Sequence, residues 1–100
     1  LNNIEKEVLL KKRKEKIDKV INHRVEGEGF INEPSSMWKE IILYNYNKVC
    51  RDEISIDQLI NMMENKGVTF NQDKSLIRYP VIQCIEYISK LSNTKFTLKG

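Results

Sequence analysis

The sequence predicts a mainly α fold, a compact bundle of about four helices. Three observations lead there. Apolar residues recur at three- and four-residue steps over segments of helical length. Gly27, Gly29, Pro34 and Gly67 fall between those segments. One segment is bracketed by a capping-box pattern and a helix-stopping glycine. One hundred residues, 40% hydrophobic and 31% charged, suffice for one core and are too few for two. Apolar positions keep recurring after residue 37, which argues against a disordered tail.

The first helix is predicted over 3–23, a stretch rich in Lys, Glu and Leu that no Gly or Pro interrupts. "VEGEGFINEPSS" ends it and reads as a connection of about a dozen residues, long for a compact domain. The second helix is expected after Ser36 as N-cap and runs to about Cys50, with Trp38, Ile41, Ile42, Tyr46 and Val49 on one stripe. In the third, Ser55 and Gln58 have capping-box spacing, and Gly67 stops the helix so that Val68 returns to Met63 in a Schellman arrangement. Residues 68–79 fit a short β-hairpin around Asn71 to Lys74 as well as irregular chain. Pro80 suits the first turn of a fourth helix carrying Val81, Ile82, Cys84, Ile85, Ile88 and Leu91. "TKFTLK" alternates as a short C-terminal strand would. The resulting organisation is a basic amphipathic helix over 1–26, a loop over 27–36 and a helical core over 37–100, one domain overall.

Charge is concentrated at one end. Leu9 to Arg24 holds seven Lys/Arg against two acids, whereas 31–100 holds nine against eight. At about 100° per residue, Leu9, Leu10, Ile17, Val20 and Ile21 share an arc of about 120°. Leu10, Ile17 and Ile21 are its candidate partner-binding residues. Lys12, Lys16, Lys19 and His23 share a flanking arc of about 60° and are the candidate nucleic-acid contacts. Like charges so arranged repel mildly unless an anion covers them, although Lys11 with Glu15, Lys14 with Asp18, and Glu15 with Lys19 stand at the spacing that pairs opposite charges.

Two functions follow as expectations, neither enzymatic. One is a nucleic-acid module whose basic helix contacts the DNA or RNA backbone; three lysines neutralising three phosphates would give a log–log salt slope of about −3. Helices two to four, with a hairpin and a terminal strand, would then resemble a winged helix. The apolar fourth helix offers only Lys90 and, just before it, Arg78, so base readout is not implied. The alternative is a helical protein-interaction domain of a regulatory assembly, docking through the stripe of helix one.

Other chemistry is absent from the pattern. His23 and two distant cysteines make no metal cluster, and Cys50 and Cys84 sit in apolar surroundings as packing thiols, which favours an intracellular compartment. Gly27 and Gly29 lack the third glycine of a dinucleotide loop and the Lys-Ser/Thr of a P-loop, and read as a flexible turn. "DEISIDQLINMMENKG" resembles the exit half of an EF-hand, but that alignment puts Val49 and Arg51 at ligand positions and Gln58 where a bidentate Glu belongs, so calcium would not be held. Trp38 reads as a core anchor, and Met62 and Met63 as one buried and one surface residue. No cofactor, metal or membrane segment is expected.

Overall fold

The computed structural model describes residues 14–92, and these are mainly helical. Helix α1 covers 14–22 of the described chain. A single 3-10 turn, Glu28–Phe30, leads to α2 (Ser35–Cys50), and α3 (Ile56–Asn65) and α4 (Lys74–Ser92) follow. Leu9, Leu10, Lys12 and the predicted C-terminal strand lie outside the described residues.

The four helices make two helix–loop–helix units, α1 with α2 and α3 with α4, and the two loops meet. Their contact is one antiparallel bridge between Ile31 and Phe70, framed by Asn32 N–H donating to the Thr69 carbonyl and Asn71 N–H to the Phe30 carbonyl, both at 3.0 Å. Helices α2, α3 and α4 pack mutually around Trp38, Ile42, Leu59, Met63, Ile77, Val81 and Ile85, and α1 contributes Val20 to the same cluster.

Local chemistry explains the boundaries. The capping box at α3 forms: Gln58 N–H donates to Ser55 Oγ at 3.1 Å while Ser55 N–H donates to Gln58 Oε1 at 2.8 Å. At the other end Gly67 takes φ 94°, and Val68 N–H reaches the Met63 carbonyl at 3.1 Å, closing the Schellman turn. Helix α2 instead starts at Ser35 behind Pro34, two residues before the expected start, with no side-chain cap. The Ser35 hydroxyl at this start donates to Glu28.

Of the two alternatives left open after Gly67, no hairpin forms among the described residues: a single bridge at Phe70 is followed by an early start of α4 at Lys74. Pro80 is therefore inside α4 and not in its first turn. It cannot donate to the Leu76 carbonyl; Leu76 and Tyr79 on this turn are exposed, whereas the proline ring itself is fully buried beside Ile77 and Val81. The wing that a winged helix would need is missing among the described residues. Cys84 is buried as expected, but Cys50, the last residue of α2, is exposed.

Gly27 and Gly67 both have positive φ, yet they differ in surroundings. A Cβ at Gly67 would meet only Met37 Cε at 3.8 Å, whereas at Gly27 it would lie 3.1 Å from Pro80 Cδ and 3.2 Å from Tyr79 Cδ1. Gly67→Ala should cost about 1 to 2 kcal/mol from backbone strain alone, and Gly27→Ala should cost more because packing strain adds. Ser55→Ala should cost about 1 kcal/mol. Urea denaturation of the three variants checks both the magnitudes and the order.

Candidate functional site

The basic stripe of helix one is only partly free. Lys16 is half-buried and Lys19 exposed, and neither forms an ion pair with another described residue. The expected Lys14–Asp18 and Glu15–Lys19 pairs are not closed; at the surface, holding two long side chains together gains too little to offset their entropy. His23 is committed elsewhere: its ring stacks on Tyr87 of α4 with centroids 3.7 Å apart and planes 4° from parallel. Of the apolar arc, Val20 is fully buried, while Ile17 and Ile21 are half-buried.

The end of α1 leads to a group that sequence patterning passes over. Lys39, on the first turns of α2, is 0% exposed. Its ammonium donates to the Ile21 carbonyl at 3.3 Å, to the His23 carbonyl, and to Glu28 Oε2 at 3.2 Å, and stands 5.3 Å from the Trp38 ring centroid. Two carbonyls at the negative end of α1 and one carboxylate thus surround one buried cation, the partners such a charge requires. Glu28 is equally engaged. Beyond Lys39 it accepts from Val25 N–H at 3.0 Å and from the Ser35 hydroxyl. Partial burial works to raise its pKa, but the Ser35, Val25 and Lys39 bonds outweigh that and hold it below the ordinary glutamate value. Cys84 is close enough to feel both charges, and burial pushes its thiol up to about 12. A thiol so hard to ionise is no nucleophile at neutral pH.

The loop contacts add a second polar cluster. Glu33 accepts from Thr69 N–H at 2.6 Å and from its hydroxyl at 2.8 Å, and the Thr69 N–H bond is the main reason its pKa is lowered. Asn71 Nδ2 donates to the Gly29 carbonyl and to Asn32 Oδ1, and Asn32 Nδ2 to the Thr69 hydroxyl. Glu26 takes the Tyr79 hydroxyl of α4, which raises the tyrosine pKa.

The glycine-bearing loop, 24–35, has the length of an EF-hand calcium loop. With Gly29 as the sixth residue, the carboxylate positions fall on Arg24, Glu26, Glu28 and, for the essential bidentate ligand, Ser35. The first and last cannot serve. Glu26, Glu28, Asn32 and the Phe30 carbonyl are each already bonded to protein donors. The left-handed turn is at Gly27 and not Gly29, so the backbone differs as well. Among the described residues no group of three His, Cys, Asp or Glu is placed to hold a metal ion, and no helix is long and apolar enough to cross a membrane. The stretch resembling an EF-hand exit covers the turn after α2, through Asp52 at φ 58°, and the capped helix α3 that follows it. No family model, curated protein or solved structure matches this chain.

A groove of about 650 Å³ runs between α2 and α3, lined by Met37, Glu40, Ile41, Tyr44, Asn45, Met62 and Lys66. Met37, Glu40, Ile41 and Tyr44 follow at helical spacing on one face of α2. Tyr44 is 75% exposed. Met62 borders the groove while its neighbour Met63 is fully buried, the division expected of adjacent methionines.

Both clusters left a trace in the sequence. On the α2 wheel Lys39 falls about 20° from Tyr46, inside the apolar arc, so its burial follows from register. Glu26 and Glu28 alternate with the two glycines, which marks a loop that has charges to satisfy. Two outcomes are expected. Lys39→Met should cost about 3 kcal/mol in urea, because it leaves the Glu28 carboxylate inside without its cation. Glu28 and Glu33 both have lowered folded pKa values, so the stability they add is fully present above the ordinary value of 4.5 and is lost as pH falls through their folded values. Glu28→Gln with Glu33→Gln should therefore flatten the fall in stability on acidification below that value.

Proposed function

We propose that the chain is a non-enzymatic protein-interaction domain of a larger regulatory assembly, receiving the apolar face of a partner's helix in the groove between α2 and α3. One observation carries this reading: a surface groove of about 650 Å³ with two methionines and an exposed tyrosine. Methionine thioethers adapt to varied apolar anchors, tyrosine is enriched among residues that dominate binding energy, and helix-in-groove docking uses such a surface. Glu40 and Lys66 at the groove supply opposite charges with which a partner's orientation can be set. This moves the partner surface from the stripe of Ile17 and Ile21, which the protein's own packing partly consumes.

A second reading, contact with a DNA or RNA backbone, is favoured by the lack of any ion pair between Lys16 or Lys19 and another described residue. It is confined to the phosphates, with His23 held by Tyr87. The intracellular location belongs to this proposal too, since an exposed free thiol at Cys50 suits a reducing compartment.

Methyl-labelled methionine spectra separate the readings. A panel of amphipathic helical peptides should shift Met37 and Met62 and leave Met63 unmoved, and Tyr44→Ala should weaken the best peptide about tenfold or more. A fluorescent duplex should show no binding below millimolar. Duplex affinity falling with a log–log salt slope of about −2, abolished by Lys16→Glu with Lys19→Glu, would establish the second reading instead.

A further inference from the structure

We infer that the Lys39 ammonium is a built-in cation that does for the α1–α2 loop what a bound divalent ion does in a calcium loop, joining helix end, loop and following helix without any bound ion and leaving this helix–loop–helix indifferent to calcium. A loop cation joins three parts: the end of the entering helix, the loop, and the start of the exiting helix. The ammonium joins the same three. It is anchored on α2, takes the Ile21 and His23 carbonyls from the end of α1, and takes the Glu28 carboxylate from the loop.

The loop's other donors agree with this. A calcium site needs several free oxygens and a bidentate carboxylate at its last position. Here Ser35 occupies that position and donates to Glu28, Glu26 receives the Tyr79 hydroxyl, and the Phe30 carbonyl receives Asn71 N–H. Arg24 stands at the first position, where a carboxylate would be required. An oxygen cage already filled by protein donors gives a divalent ion nothing to coordinate. A covalently attached ammonium cannot be diluted or chelated away, so the arrangement of α1 against α2 does not depend on metal concentration.

The test uses the full chain and two variants, Lys39→Met and Glu28→Gln, the second keeping an acceptor for the ammonium while deleting the charge. For the wild type, thermal midpoints in millimolar calcium and in chelator should coincide, and terbium should give no emission when Trp38 is excited. In the variants, amide exchange over 21–28 should accelerate about tenfold or more while α3 keeps its protection. A calcium-dependent midpoint or sensitised terbium emission in the wild type would overturn the inference. So would native exchange over 21–28 in both variants, or acceleration spread equally over α3. Should Lys39→Met fail to fold, Glu28→Gln alone decides.

Discussion

A lysine ammonium with no exposure to solvent is the constraint around which the rest of this structure is arranged. An isolated ammonium in an apolar interior would be costly by far more than a domain's net stability, so every group near Lys39 has to answer to it. The chain does so with oxygens that would otherwise also be in difficulty. Helix α1 ends with carbonyls that have no intrahelical partner, and the ammonium takes two of them, at Ile21 and His23. Glu28 would be a partly buried carboxylate without its cation, and its bonds to Val25 N–H and the Ser35 hydroxyl satisfy what remains. Helix end, loop and following helix are thereby fixed by one charge. Such a pair adds little net stability over a well-packed apolar substitute, but breaking it from one side is expensive. Its consequence is geometric: α1 has a defined place against the core, sealed by Val20 below and the His23–Tyr87 stack beside it.

The second helix–loop–helix unit is joined to the first by polar groups as well. Glu33, Thr69, Asn32 and Asn71 form a mutually bonded set around the Ile31–Phe70 bridge. These side-chain bonds supplement the single bridge, while the shared core of α2, α3 and α4 packs the two units together. Helix α2 serves both sides of the molecule. One face carries Trp38, Lys39, Ile42 and Tyr46 into the core, and another carries Met37, Glu40 and Tyr44 along the groove. The clamp that orients α2 therefore also presents the proposed docking surface, with no ligand needed to expose it.

The regular parts of the fold were legible because their signals are local. Ser55, Gln58 and Gly67 define α3 through bonds made within a few residues, and the stripe from Trp38 to Val49 needs only a helical period. The start of α4 was not legible, because Pro80 carries a strong start signal and yet stands inside the helix with its ring buried in the core. The choice between hairpin and irregular chain over 68–79 stayed open for a related reason: Phe70 pairs with Ile31, a residue far away in sequence, and not with its neighbours. At the candidate site the weight placed on Lys12, Lys16, Lys19 and His23 came from charge density, which sequence displays openly. Lys39 is a single charge and adds nothing to density, but its position inside the α2 arc was readable. What no period could reveal is that the carbonyls of Ile21 and His23 would converge on it.

The most direct measurement of this account is a double-mutant cycle in urea between Lys39→Met and Glu28→Gln, made at neutral pH. If the ammonium and carboxylate hold the loop together, the two changes should be strongly non-additive, with a coupling of about 2 kcal/mol. Additivity within about 0.5 kcal/mol would contradict it, and would make Lys39 an ordinary buried side chain with the loop held by something else.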